Sequence, residues 1–222
     1  MPKRSPALTH ARKEEIVNAC AQLYQSMSFR DITLKEIGAR TSFTRTSIYN
    51  YFHTKEEIFL ALLQREYEAW IADLDALRRA RPELTAEDFS GALARTLEGR
   101  QCMLKLLAMN LYDLEANSRM ENLVAFKRVY AASMEAVTRC LAAFFPAMTG
   151  EERQAFLYAF YPFLFGIYPY TEATDRQREA MDLAQVPYVQ YSVYELTRAL
   201  VSKLLRGFAH AHGGEPDLPR IR

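Results

Sequence analysis

Residues 32–58 read ITLKEIGARTSFTRTSIYNYFHTKEEI, and this stretch decides the fold. Three of its threonines, Thr33, Thr44 and Thr54, each stand directly before a short run with helical periodicity, where an N-cap residue belongs. Glu36 and Glu57 follow the first and last of these threonines by three residues, which is the spacing of a capping box. The stretch therefore predicts two short helices, Leu34 to about Arg40 and Arg45 to Tyr51, and a longer helix that begins at Thr54.

Two short helices joined by so short a turn are typical of a helix-turn-helix. In that unit the second helix enters the major groove of DNA and the first crosses the backbone. The outer side of the second helix carries donors that can reach bases or phosphates: Arg45, Thr46, Ser47 and Asn50. Ile48 faces the other way, with Phe52 just beyond it. A purely structural helix would more often carry Ala, Leu, Glu or Lys at the outer positions.

The residues before this stretch fit the same interpretation. Ile16, Ala19, Cys20 and Leu23 recur at helical spacing, which predicts a first helix from about Arg12 to Gln25. Residues 1–57 hold nine basic and six acidic residues, and no acid occurs among the first thirteen. A basic arm before a small helical unit is a weak indication of phosphate binding, and it is also typical of a solvated tail.

The stretch from Ile16 to Leu63 resembles the DNA-binding domain of the TetR family of transcriptional regulators, most specifically in Tyr49-x-Tyr51-Phe52-x-x-Lys55-Glu56. The resemblance implies an all-helical homodimer with a C-terminal ligand-binding and dimerisation domain. It also implies that Thr33, Tyr49 and Lys55 contact phosphates, whereas Arg45, Thr46 and Asn50 lie against bases. The whole set expected at DNA is Thr33, Thr44, Arg45, Thr46, Ser47, Tyr49, Asn50, His53 and Lys55.

Some of these residues have structural explanations that need no DNA. Thr33 and Thr44 are explained by capping, and Lys55 by a solvated lysine in a first helical turn. His53 fits packing at the junction as well as a backbone contact. The sequence also has Ser28, Ser42 and Thr46 where the family usually has Gly, so the turn must accept a Cβ and the operator contacts cannot be copied from relatives.

The remaining residues predict a second helical domain, which gives an all-α protein of about nine helices divided into residues 1–53 and 54–222. Hydrophobic periodicity and the breaks at Gly, Pro and Asn place its helices at Ile58–Arg79, Ala86–Glu98, Arg100–Ala116, Met120–Phe145, Glu151–Tyr170 and Val189–His210. A charged connection, Thr171–Pro187, with room for a short helix, precedes the last of them.

Phe156–Tyr170 is the most informative segment of this second domain, because eight of its fifteen residues are aromatic. Its aromatic residues form stripes on opposite sides of a helix, so both sides must be buried. One side can pack within its own chain, and a dimer partner is the natural cover for the other. With the last helix, this predicts a dimer interface of Phe156, Phe160, Phe163, Val189, Val193, Leu196, Leu200 and Leu204.

Other aromatic and methionine side chains of this domain could line a ligand pocket, since such pockets are mostly apolar with a few polar groups. The phenol hydroxyls are the only indication of a polar ligand, and such residues more often belong to an ordinary core. The predicted pocket residues are Met103, Met109, Tyr112, Phe126, Tyr130, Met134, Tyr161 and Tyr168.

Several classes of protein are disfavoured by composition. No apolar run is long enough to span a membrane, and the N-terminus lacks the apolar block of a secretory signal. Cys20, Cys102 and Cys140 are odd in number and far apart, which indicates free thiols in a reducing cytoplasm. His210 and His212 lack further ligands nearby, so neither a metal nor a cofactor is expected. No catalytic motif is visible, and an enzyme is not expected.

The sequence thus predicts a cytoplasmic homodimeric repressor that a small molecule releases from a palindromic DNA operator. Two alternatives within reach of the same residues remain open. One is a ligand-dependent activator, and the other is a helical small-molecule-binding protein whose DNA-binding domain no longer functions. An enzyme of unknown chemistry on a helical scaffold is a further rival.

Overall fold

The computed structural model describes residues 5–211, apart from the side chains of Arg45 and of residues 209–211. Within that range the chain forms twelve α-helices and no strand. The helices are α1 (Pro6–Tyr24), α2 (Leu34–Gly38), α3 (Arg45–Ile48), α4 (Lys55–Ala80), α5 (Ala86–Glu98), α6 (Gln101–Met109), α7 (Leu111–Ala116), α8 (Met120–Phe144), α9 (Gly150–Gly166), α10 (Tyr168–Thr171), α11 (Asp175–Leu183) and α12 (Val193–Ala211).

The N-terminal unit consists of α1, α2 and α3. Helix α1 begins six residues before the predicted Arg12, because Ser5 caps it by accepting a hydrogen bond from the Leu8 amide and Pro6 occupies its first turn. Its inward face is the predicted one, with Ile16 and Cys20 fully buried. Helices α2 and α3 follow at almost the predicted positions, and each is short.

Helix α4 is the central element and runs from the N-terminal unit into the core of the second. It packs along α8 and also contacts α1, α5, α6 and α7. Tyr67, Trp70 and Leu74 on its buried face are completely inaccessible to solvent. A side-chain substitution in the middle of α4 therefore affects the packing of several helices at once.

The remaining helices surround α4 and α8, with α12 packed along α5 and α9 against α6 and α8. The all-α class is confirmed, but two predicted helices are divided. Asn110 separates α6 from α7, and Ile167 separates α9 from α10. Helix α11, which begins at a capping box on Thr174, lies in the segment expected to be a charged connection. These three additions account for the twelve helices seen in the described residues.

None of the helices within residues 5–211 combines the length and the apolar character that a membrane span requires. All three cysteines are free thiols, and Cys20 and Cys140 are buried. His210 and His212, where the sequence predicts no metal site, lie outside the residues whose side chains are described.

Candidate nucleic-acid interface and its supports

The N-terminus of α2 presents Thr33 to solvent. Its hydroxyl accepts hydrogen bonds from the amides of Lys35 at 3.2 Å and Glu36 at 3.4 Å, so the predicted cap is formed. The reciprocal half of the capping box is not formed. Instead, one carboxylate oxygen of Glu36 is buried and meets no hydrogen-bond partner among the described residues. The capping box predicted for Glu36 was therefore wrong, although the helix begins where it was expected.

The turn between α2 and α3 is held by α1. The Ser42 amide donates to Glu15 Oε1 at 2.5 Å, and the Arg12 guanidinium donates to Ser42 Oγ at 2.6 Å. The same guanidinium lies 4.8 Å from the centre of the Phe43 ring. Hydrogen bonds from Ser42 and the charge of Arg12 lower the pKa of the Glu15 carboxyl. Among the described non-glycine residues only Gln185 has a positive φ, so the turn accepts a Cβ at Ser42 without strain.

Helix α3 and the residues that flank it turn one polar side outward, which we call the polar edge: Thr44, Thr46, Ser47, Tyr49 and Asn50. Thr46 and Asn50 are exposed, and the Tyr49 side chain is 43% exposed. Ile48 and Phe52 anchor the opposite side, with 0% and 4% of their surface accessible. The polar edge therefore faces solvent while its helix is fixed from behind.

Two hydrogen-bond contacts described within the polar edge are local. Thr44 stands at the N-cap position, but its hydroxyl lies 3.2 Å from the Ser47 hydroxyl and makes no capping bond. Asn50 Nδ2 donates to the Ser47 carbonyl at 3.2 Å. His53 is exposed just beyond this edge. The side chain of Arg45, expected to contact bases, lies outside the described part of the structure.

Lys55, expected to contact phosphate, is engaged inside the protein. Its ammonium donates to the carbonyls of Phe29 at 2.7 Å and Ile32 at 3.2 Å, and lies 4.3 Å from the centre of the Phe29 ring. Because these carbonyls belong to the connection between α1 and α2, Lys55 ties the start of α4 to that connection. An ammonium has three donors, so a phosphate contact by Lys55 stays a prediction.

Glu57 has a role that the sequence did not reveal. Its carboxylate was expected to complete the capping box of Thr54, but it accepts from the His53 amide at 2.7 Å and from Arg119. Arg119 donates from Nε to Oε1 at 2.6 Å, from Nη2 to Oε2 at 3.0 Å and from its backbone amide to Oε1 at 3.1 Å. These groups form what we call the Glu57–Arg119 junction. Sixty-two residues separate the partners, so no local pattern could have indicated it.

The charge on Glu57 is stabilised despite its burial. Its side chain is inaccessible to solvent, whereas that of Arg119 is 35% exposed. Burial by itself would raise the pKa of Glu57, but the hydrogen bonds from Arg119 and the His53 amide outweigh it and lower the pKa to about 2. The junction is consequently a charged pair at any pH near neutrality.

The predicted ligand residues do not share one place. Phe126, Tyr130 and Tyr161 belong to an aromatic cluster with Tyr67 and Trp70 inside the second unit, where Tyr130 meets the rings of Tyr67 and Tyr161 edge-on at 5.9 and 5.5 Å. Tyr161 is hydrogen-bonded to Ser133 at 2.8 Å. The Tyr67 hydroxyl is buried and finds no hydrogen-bond partner among residues 5–211. Sequence reasoning missed Tyr67 and Trp70.

The other predicted ligand residues lie elsewhere. Met134 is partly buried against the core, and Met103 is completely buried. Met109 is 59% exposed and Tyr112 is 86% exposed, because the break at Asn110 changes the helical phase and turns Leu114 inward instead. The predicted role of Tyr112 in lining a cavity between helices was therefore wrong. Tyr168 and Met109 border an open groove of about 820 Å³ between the C-terminal end of α1 and the helices α6 and α10.

The predicted dimer residues also divide. Phe156 and Phe160 are fully buried within their own chain, and Val193 is 3% exposed, so none of them is a surface residue. Val189 is 67% exposed but precedes α12, which begins at Val193. The partly buried members are Phe163, Leu196, Leu200 and Leu204. The outer face of α9 is formed by Ala155, Tyr158, Ala159, Pro162 and Gly166, which the sequence analysis did not select.

A helix-turn-helix with an exposed polar edge, continued by a long helix into an aromatic-rich helical unit, defines a two-domain helical regulator that binds DNA. Comparison with known families agrees. The family model described as bacterial regulatory proteins, tetR family, matches residues 16–62, and that of the tetracyclin repressor-like C-terminal domain matches residues 64–212. The chain belongs to the TetR family of transcriptional regulators.

Individual relatives are distant. The chain is 30% identical to the HTH-type transcriptional regulator RutR of Escherichia coli K12 over 76 residues, which is 34% of this chain and 35% of RutR. The match therefore spans about a third of the length of this curated relative.

Solved structures resemble the chain over most of its length. A putative TetR-family regulator from Mesorhizobium loti covers 92% of this chain and 98% of its own, with a TM-score of 0.59 and 15% identity. The regulator FadR of Bacillus subtilis, solved in complex with stearoyl-CoA, covers 87% and 98%, with a TM-score of 0.54 and 15% identity. At these identities the likeness establishes the fold.

Proposed function

We propose that the protein is a cytoplasmic homodimeric repressor that binds a two-fold symmetric operator and leaves it when a small molecule binds the second helical unit. The observation that carries the proposal is the polar edge of α3, whose Thr46 and Asn50 are exposed while Ile48 fixes the helix from behind. A dimer would place two such edges in successive major grooves, about 34–36 Å apart.

The outer face of α9 supports the dimer. Ala155, Ala159, Pro162 and Gly166 recur along one exposed stripe, and small residues let two helices approach closely. Tyr158, 68% exposed beside this stripe, offers a large apolar surface that residues 5–211 leave uncovered. In this proposal a second copy covers α9 and the partly buried leucines of α12, Leu196, Leu200 and Leu204.

The aromatic cluster supports the effector site. Burying a hydroxyl without a hydrogen bond is costly, and the Tyr67 hydroxyl is in that situation among the described residues. An effector with a hydrogen-bond acceptor and an apolar body would satisfy Tyr67 and pack against Tyr130 and Phe126. The cluster lies on α4, α8 and α9, so an effector there would move the long helix that reaches the N-terminal unit.

A second position for the effector is the groove beside Tyr168, favoured by its size. Its volume of about 820 Å³ falls in the range of small-molecule sites, and its walls come from both units of the chain. An effector lodged there would act directly on the angle between the two units.

Selection of duplex DNA from a random pool tests the regulator. The wild-type protein should enrich a two-fold symmetric sequence, and a reporter placed behind that sequence should fall when the protein is expressed. A reporter that rises instead establishes the activator. Failure to enrich any sequence would leave the helical small-molecule-binding protein as the better description.

A thermal-shift screen with a matched variant tests the effector site. Compounds that bind the aromatic cluster should raise the melting temperature of the wild type more than that of Tyr67→Phe. A compound bound in the groove should distinguish wild type from Lys105→Met instead, because Lys105 lines that groove. Effectors should also release the selected DNA, since two ligands that favour different conformations oppose each other reciprocally.

A further inference from the structure

We infer that Arg119, which lies between α7 and α8 in the second unit, is a positioning residue for DNA binding. It acts through the Glu57–Arg119 junction and fixes the orientation of the helix-turn-helix relative to the rest of the chain. The inference deepens the proposed function, and it rests on the homodimer being the form that binds DNA.

The junction joins three parts of the chain at one carboxylate. Glu57 stands in the first turn of α4, and its Oε2 receives the amide of His53, the residue that follows the helix-turn-helix. Both oxygens also receive donors from Arg119. A carboxylate has about four sites for donors, and the backbone and side-chain donors here occupy four. Glu57 therefore has one well-defined position, and movement of Arg119 must be passed to His53.

A second contact runs parallel to the first. Thr54 Oγ1 donates to the carbonyl of Asn117 at 3.1 Å, so the residue before α4 is also fixed to the turn after α7. Arg119 Nη2 reaches the Tyr51 carbonyl at 3.5 Å, a longer contact in the same direction. Both contacts tie the end of the helix-turn-helix to the α7–α8 turn, not to α4 alone.

The chemistry of the Glu57–Arg119 pair restricts the orientation of the segments it joins, in addition to holding them together. A guanidinium that meets a carboxylate through two parallel bonds fixes an angle as well as a distance. For a dimer that must place two α3 helices at a set separation, an error of angle at each junction becomes an error of spacing.

The experiment measures preference for operator spacing. Two copies of the half-site that the wild type selects are placed in inverted orientation, with their separation varied in single base pairs, and dissociation constants are measured by fluorescence anisotropy. The wild type should show one preferred spacing. Arg119→Met should bind a single half-site as the wild type does, but its preference between the best spacing and its neighbours should fall about tenfold.

Two further variants separate positioning from folding. Arg119→Met leaves a buried carboxylate without its partner, so its thermal stability should fall. Glu57→Gln combined with Arg119→Met removes that charge while Gln still accepts the His53 amide, and it should recover stability but not the spacing preference. Arg139→Met is the matched control, because Arg139 also joins α8 to α4, at Asp75, far from the helix-turn-helix.

The outcomes are distinguishable from those of the proposed function. If the wild type has no preferred spacing, the homodimer proposal fails, and this inference fails with it. If the wild type and the double variant have the same spacing profile, the proposed function stands and the role of Arg119 is refuted. A loss of preference in Arg139→Met equal to that of the double variant would also refute it.

Discussion

The start and the middle of α4 are stabilised by different forces. At its first turn, Lys55 and Glu57 make charged hydrogen bonds to Phe29, Ile32 and His53. From about three turns further on, Tyr67, Trp70 and Leu74 are buried among aromatic and aliphatic side chains. One helix therefore has a polar first turn and an apolar middle.

The start of α4 can exchange its contacts for others, whereas the middle of α4 has few alternative arrangements. Close-packed apolar contacts respond to a change of volume with a large loss of stability and offer few alternative arrangements. Directional polar contacts depend on angle and on charge, and they can be exchanged for contacts with water or another partner. We therefore expect changes in the middle of α4 to affect folding, and changes at its start to affect how DNA is bound as well as folding.

The largest expected effect tests the apolar middle. Trp70→Ala should lower the free energy of unfolding by about 3–5 kcal/mol, because it leaves a cavity and removes the bond from Nε1 to Thr96 Oγ1 at 2.9 Å. Chemical denaturation measures this loss. Tyr112→Ala, at an 86% exposed position, is the control and should change stability by no more than about 0.5 kcal/mol. Equal losses of stability in the two variants would contradict the claim that the middle of α4 depends on close apolar packing.

Acid unfolding tests the polar start. The pKa of Glu57 is about 2 in the folded chain, below its ordinary value of 4.5. Its contribution is therefore complete above about pH 4.5 and is lost as the pH falls towards 2, a change of about 3 kcal/mol. Denaturation curves at successive pH values should show a smaller slope for Glu57→Gln than for wild type in this window. An unchanged slope would mean that the carboxylate is not stabilised by its neighbours.

A smaller effect is expected at the polar edge, which precedes α4 in the chain. Asn50→Ala should weaken binding to the selected operator by about 1–3 kcal/mol and reduce discrimination at one base pair, since an amide reads a base edge with paired bonds. Its stability should stay near that of wild type because the side chain is exposed. Binding measured against single-base variants of the operator checks this. Uniform weakening on every sequence would assign Asn50 to the phosphate backbone instead.

The smallest expected effect belongs to Thr33. Thr33→Ala should cost about 1 kcal/mol of stability through the lost cap of α2, and Thr33→Ser should retain it. If Thr33 also contacts phosphate, the alanine variant should weaken binding to all DNA alike and lower the salt dependence. Salt titrations on specific and random duplexes distinguish the two roles. A loss confined to one sequence would contradict the phosphate contact.

Local signals explain why the N-terminal unit was predictable. Thr33 caps α2 through amides two and three residues away, and Ile48 lies inside because of a spacing visible in the sequence. The same reasoning failed for Glu57, whose deciding partner is Arg119. Caps are local, whereas a buried ion pair is set by the approach of distant helices.

The second unit was predictable as helices but not as a site. Its periodicity gave α5 with the observed bounds, Ala86–Glu98. Aromatic residues, however, fit core, pocket and interface equally well, and the sequence could not show that Phe160 is buried while Tyr158 is exposed. The break at Asn110 coincides with a tertiary contact. The Tyr24 hydroxyl donates a hydrogen bond to the Asn110 side chain at 2.8 Å. No pattern within the segment indicated that contact.

The tie between Lys55 and the α1–α2 connection determines where a chimaera could be joined. A domain exchange cut between His53 and Thr54 would transplant Phe29 and Ile32 while leaving behind the ammonium that binds their carbonyls. It would also part His53 from its native Glu57. A functional hybrid should instead take its crossover within α4, after Ile58, and should carry an arginine at the position of Arg119.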